Sequence, residues 1–254
     1  MNSVYLPALR LALVLCALGV ASVTHAAPVT IVDDNRLIRS SGSISSETRT
    51  NSWNVSDVSA NNTGIYNQTL DETRTADPNS ARSVATIVSN IGTSVFSASG
   101  TAFGVVDLEP GSGNNRFSEA DASSQFEVRF VVDEPTNFSL SALLGFDQIS
   151  GTGSRGGATL SLSSNFFNLS AGTSFTSQDF ERNIVLSGIL DPDTYTLRVS
   201  ASVNSDAFSS PSLVSGQSNY NVRLNLAPIP VPAAVWLFAS GVGLLFGLRN
   251  RLAR

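Results

Sequence analysis

The sequence predicts an all-β domain, an antiparallel β-sandwich of jelly-roll-like type, flanked by two apolar segments that read as helices. Three observations carry that expectation. Apolar residues recur with period two in several runs between residues 126 and 226, the pattern of strands with one buried and one wet face. Turn-forming clusters such as Asp133-Glu134-Pro135 and Asp191-Pro192-Asp193 lie between those runs, at the spacing of an all-β fold. No 12-residue window of residues 27–227 holds a convincing helical period.

The first element is the N-terminal segment 1–26, which reads as a secretory signal peptide. Arg10 supplies its positive end, and residues 11–20 (LALVLCALGV) form an apolar core of ten residues, too short for a bilayer that needs about 20. Thr24, Ala26 and Ala27 put small residues around a cleavage site after Ala26. A retained anchor helix is the alternative. Cys16 is no lipoprotein cysteine, because the bulky Leu15 precedes it inside the apolar core.

Residues 27–227 form one ectodomain. Segments 29–45 and 83–106 are its weaker strand candidates, with Ser- and Ala-rich faces, and the polar, Asn-rich residues 47–80 read as a long excursion. Five runs then alternate cleanly. Their apolar faces are Phe126, Val128, Phe130 and Val132; Phe138, Leu140, Ala142 and Leu144; Ala158, Leu160 and Leu162; Tyr195 to Val203 at every second residue; and Tyr220, Val222, Leu224 and Leu226. Residues 133–137 are expected to join the first two as a hairpin, and residues 191–193 to make another before Tyr195. Twelve of the chain's 14 Phe lie in this span, enough to fill the space between two packed sheets.

The composition removes most catalytic chemistry. The chain has no Lys, one Cys (Cys16), one His (His25) and one Met (Met1), and cleavage after Ala26 removes all three of the latter. A mature chain of that kind has no disulfide, no Ser-His-Asp or Cys-His site, no Ser-Lys pair and no His or Cys zinc ligand. All 20 acidic residues and 11 of the 15 arginines lie in residues 27–227. The resulting charge of −9 argues against nucleic acid as a partner.

The remaining candidates have ordinary structural readings. Gly151, Gly153 and Gly156 fit G-x-G-x-x-G, but a strand rather than a helix follows them, so they read as an inter-strand loop. The acidic pairs Asp33 and Asp34, Asp107 and Glu109, Glu119 and Asp121, and Asp191 and Asp193 match no calcium-loop pattern and read as turn caps or solvated loops. Nothing selects two of them as a glycosidase pair. Trp53, with Tyr66 nearby, is either a sugar-stacking platform or a side chain packed over the sandwich edge. The sequons at Asn54, Asn61 and Asn67 are expected by chance in an Asn/Ser/Thr-rich chain. No catalytic residue, cofactor or metal is assigned, and no enzyme activity is expected.

The last element, residues 228–254, is the most specific. Pro230 and Pro232 stand at the head of residues 231–248, an uncharged run of 18 residues, about 27 Å of helix and just enough to cross a hydrocarbon core. Arg249, Arg251 and Arg254 follow it, and positive charge stays on the cytoplasmic side. The expected topology is therefore an inner-membrane helix with the body in the periplasm. Trp236 suits the outer interface, and Ser240, Gly241 and Gly243 give a small face for close helix contact.

The tail resembles the PEP-CTERM protein-sorting signal of Gram-negative bacteria. The matching residues are Pro230-Val231-Pro232, Ala233-Ala234-Val235-Trp236-Leu237, Ser240-Gly241 and the terminal arginines. Val231 stands where the motif's name-giving glutamate stands, and Asn250 and Leu252 separate the arginines. The resemblance implies an exosortase as partner, a membrane-embedded cysteine transpeptidase that cuts near the Pro-x-Pro element. A plain C-terminal anchor is the other reading. The expected function is an exported, non-enzymatic cell-surface or biofilm-matrix protein, reaching the surface or medium after processing. The alternative is a carbohydrate-binding module associated with exopolysaccharide.

Overall fold

Strand alternation does organise the chain. The structure, a computed structural model, describes residues 29–46, 50–60, 63–76, 78–109, 117–208 and 212–229. The signal segment with Ala26 and Ala27, and the tail from Pro230 to Arg254, lie outside the described residues. Among the described residues there is no helix.

Among the described residues, twelve strands form two six-stranded sheets. The first sheet runs in the order β2 (Thr50–Ala60), β1 (Val29–Ser45), β6 (Phe117–Val132), β11 (Asp193–Phe208), β8 (Ser154–Ser163), β9 (Asn168–Thr176). The second runs β3 (Gly64–Ala76), β4 (Asn79–Ile91), β5 (Val95–Leu108), β12 (Ser212–Pro228), β7 (Thr136–Ser150), β10 (Phe180–Leu190). Every pairing is antiparallel. β5 pairs with β12, β6 with β11, β7 with β10 and β8 with β9, so eight strands nest as one long hairpin. Successive pairs of that hairpin fall in opposite sheets, and the pairings β7 with β12 and β8 with β11 join them side by side. The β1–β2 hairpin extends the first sheet past β6, and β4 with β3 extends the second past β5.

The five clean alternations are buried as the pattern requires. Phe126, Val128, Phe130 and Val132 of β6 face the core, as do Tyr195, Leu197, Val199, Ala201 and Val203 of β11. Aromatic rings fill the end of the sandwich where β1 enters and β12 leaves: Phe130 lies 5.1 Å from Phe96 and 5.8 Å from Tyr195 between ring centroids. Further along, small residues bring the sheets close. A Cβ on Gly100 of β5 would sit 2.6 Å from the Tyr220 ring, so only glycine fits there. The Tyr220 hydroxyl shares a 3.1 Å hydrogen bond with Ser124, and burial pushes that phenol well above its usual range.

Four features differ from the sequence expectation. Residues 133–135 and 191–192 do not close hairpins. They carry the chain from β6 to β7 and from β10 to β11, strands that belong to opposite sheets. Turn residues fix a reversal, but which sheet receives the next strand depends on where its apolar face finds the core. Residues 47–80 are no excursion, for they supply β2 and β3. These are edge strands, which need little apolar surface because one side has no neighbour. Segment 83–106 is two strands, β4 and β5, with the Gly92 N–H donating to the Val95 carbonyl at 3.0 Å in the turn. β9 and β10 escape the pattern because they too are edges, and β10 turns Val185 and Ile189 outward.

Candidate functional site

The most site-like surface starts from a one-residue irregularity in β1. Ile31 pairs with Phe130 and Asp33 with Arg129, leaving Val32 as a bulge. A bulge shifts the side-chain phase by one. Val29 and Ile31 pack against the core before it, while Asp34, Arg36, Ile38 and Ser40 are buried after it. Asp33 and Asn35 therefore lie on the outer face, and the acidic pair Asp33 and Asp34 is split between the two sides of the sheet.

On that outer face, register builds a polar patch across four strands. Asp33 and Asn35 lie opposite Arg129 and Glu127 of β6, Arg129 lies opposite Thr196 of β11, and Thr196 lies opposite Ser163 of β8. With Thr194, Ser164 and Asn165 they line a depression of about 470 Å³. Glu127 is engaged by Arg198, 3.7 Å away. Neither Arg129 nor Asp33 has an ion pair or hydrogen bond among the described residues, and the buried Asn35 Oδ1 has no partner there. Beside the depression the Thr194 N–H donates to Asp193 Oδ1 at 2.7 Å. That bond, helped by Ser164 and Asn165, holds the Asp193 carboxyl below the usual range.

The lip of the depression is the β8–β9 turn. Its Ser164 N–H donates to the Phe167 carbonyl at 2.7 Å, and the Phe166 N–H to Ser164 Oγ at 3.3 Å. Phe167 anchors the turn edge-on to Phe138 and Tyr195, each 6.2 Å away. Phe166 is 96% exposed, the most exposed large apolar side chain described. Alternation does not single it out. The signal that could have is the Phe166-Phe167 doublet, since neighbouring residues of an extended chain point to opposite sides.

Trp53 is not a platform. It is 7% exposed, packs with Ile44, Val106 and Ala207, and its Nε1–H reaches Ser40 Oγ at 3.1 Å and Ser83 Oγ at 3.3 Å. Its one polar atom is satisfied by two strands of opposite sheets, which is what a buried indole requires. Tyr66 is half-buried, with the Arg36 guanidinium 5.4 Å above its ring. The G-x-G-x-x-G glycines lie in and after the crossing from β7 to β8. Gly151 has a φ of +69°, and a Cβ on Gly156 would meet the Phe146 ring at 2.5 Å. These glycines serve a turn and a close approach of core packing.

Glu119 and Asp121 share the outer face of β6 at the other end, and Asn204 Nδ2 donates to both, at 2.8 and 2.6 Å. Burial and then the Asp121 charge raise the Glu119 carboxyl; burial raises Asp121, against the Asn204 bond and Arg39. A carboxyl raised on folding is costly while ionised, and the cost disappears as falling pH protonates it. Asp121→Asn should therefore raise the thermal midpoint at pH 7, and the difference from wild type should close as pH falls through the ordinary carboxylate range. Among the described residues no three His, Cys, Asp or Glu side chains are placed to hold a metal ion.

No protein-family model matches the chain, and no curated protein matches it. Several solved structures are similar in part, among them the following two. A ruminal GH26 endo-β-1,4-mannanase aligns at 12% identity over 43% of this chain and 18% of its own, with a TM-score of 0.18. The structure of infectious bursal disease virus, Gx strain, aligns at 11% identity over 84% of this chain and 64% of its own, with a TM-score of 0.20. The chain thus spans less than two thirds of either protein's length.

Proposed function

We propose that the chain is an exported, non-enzymatic cell-surface or matrix protein whose β-domain is delivered by a signal peptide and a PEP-CTERM-type tail. The domain is a jelly roll over β5–β12, widened by β1–β4. The observation that carries the reading is the tail: Pro230-Val231-Pro232 at the head of an uncharged run, residues 231–248, with Arg249, Arg251 and Arg254 behind it. The end of the fold supports it. β12 stays in register as far as Pro228, opposite Thr136, so a cut near Pro230 would spare the sheet. Val29 pairs with Val132 at the same end, so both the signal segment and the tail join the domain where a membrane anchor would hold it. The arginines remain in the cytoplasm and the domain faces the periplasm until an exosortase acts.

A plain anchor needs the apolar run and the charges but has no use for two prolines. Proline disfavours helix in the residue before it, which keeps a cleavage region extended. Pro230→Ala with Pro232→Ala should leave membrane insertion intact and block processing, so the full-length chain accumulates in the membrane. Intact-mass measurement of wild type from exosortase-positive cells should give a chain that begins at Ala27 and lacks Arg254. A mature chain that keeps Arg254 would mean a tail-anchored β-domain only, and one that begins at Met1 or Asn2 would remove the signal peptide.

A further inference from the structure

We propose that the depression on the outer face of the first sheet binds pyranose rings of a neutral polysaccharide, with Phe166 as the stacking platform at its lip. Three groups of opposite hydrogen-bonding character converge there without partners among the described residues: the Arg129 guanidinium donates, while the Asp33 carboxylate and the buried Asn35 Oδ1 accept. Sugar hydroxyls are donors and acceptors at once, so vicinal hydroxyls satisfy such a mixed set, whereas an apolar ligand would leave all three unpaired at a cost. The volume, about 470 Å³, falls within the range of small-molecule sites. Ser163 and Thr196, with short side chains, leave the room.

Charge decides between neutral and acidic glycans. Asp33 offsets Arg129 and Glu127 is paired with Arg198, so the patch has no surplus cation to attract a polyanion, on a domain that is itself acidic. Phe166 supplies the apolar half of the recognition. A pyranose presents a face of axial C–H bonds that packs on an aromatic ring, and Phe166 offers one bare to solvent, one residue beyond Asn165. Its turn is fixed from below by Phe167 and by the Ser164 bonds, so little ordering entropy is lost on binding. The site lies on strand faces rather than on long loops, which favours an extended polymer lying across the sheet.

The test is native affinity electrophoresis of the full-length chain in mild detergent, in gels cast with hydroxyethylcellulose, xyloglucan, dextran or alginate. At least one neutral polymer should retard wild type. Phe166→Ala and Asn35→Ala should each weaken that retardation at least tenfold, Phe166→Trp should preserve it, and Phe208→Ala, at the opposite end, should not change it. An unchanged thermal midpoint of Phe166→Ala separates lost binding from lost folding. Retardation by no neutral polymer, by alginate alone, or equally in wild type and Phe166→Ala overturns the proposal. Tail processing plays no part in the measurement, so its failure leaves the export reading standing.

Discussion

Phe130→Ala should lower the unfolding free energy of the β-domain by about 3–5 kcal/mol, the range for removing a fully buried aromatic ring. Phe130 has no exposed surface and lies in β6, which is paired on both sides, by β1 and β11. Its ring is tilted at 56° to Phe96 of the opposite sheet and stacked on Tyr195 of the neighbouring strand. The truncation therefore removes both a cross-strand contact and a contact between sheets, and the surrounding strands, tied by their ladders, cannot collapse into the space. Val185→Ala is the control. Val185 is 75% exposed on an edge strand, and its change should stay within about 0.5 kcal/mol. Urea denaturation of residues 27–229 reads both. A loss under 1 kcal/mol for Phe130→Ala would mean that the two sheets do not meet at that ring.

The interior strands were legible because burial on one face and water on the other impose period two. β6, β7, β8, β11 and β12 lie inside their sheets and show the alternation in sequence, whereas β1, β4 and β5, also interior, carry Ser- and Ala-rich faces that blur it. The four edges, β2, β3, β9 and β10, bury less and so carry a weaker pattern, which is why the stretch around Trp53 and Tyr66 reads as a polar excursion. The same cause hides Trp53. In a Ser-rich run a lone indole reads as a surface platform or as a side chain packed over the sandwich edge, and the choice rests on Ser40 and Ser83 meeting it from strands far apart in sequence.

The candidate site was less legible, for a different reason. It has no local motif. Asp33 and Arg129 are almost a hundred residues apart and meet only because Val32 bulges and shifts β1 by one position. Without that shift Asp34 and Arg36, not Asp33 and Asn35, would face outward. One residue of phase thus decides both which polar groups line the depression and which are driven into the core.

The buried half of that division is the Asp34–Arg36 pair, and breaking it should cost as much as an aromatic truncation. Arg36 and Asp34 side chains are each 1% exposed. Arg36 Nε and one terminal nitrogen donate to Asp34 Oδ1 at 3.3 and 3.2 Å, the other reaches the Gly64 carbonyl at 3.4 Å, and the guanidinium lies over the Tyr66 ring. The pair therefore joins β1 of one sheet to β3 of the other, where β3 offers little apolar surface. Removing one member of a buried ion pair typically costs about 3–5 kcal/mol, because a desolvated charge loses its counterion, while replacing both with apolar residues of similar volume is often neutral or better. Arg36→Met alone should thus destabilise residues 27–229 by about 3–5 kcal/mol in urea denaturation. Adding Asp34→Leu should recover most of the loss, since the inner face of β1 would then be apolar from Ile31 to Ile38. Equal stability of Arg36→Met and wild type would mean that the guanidinium reaches water, and the phase shift at Val32 would no longer place it between the sheets.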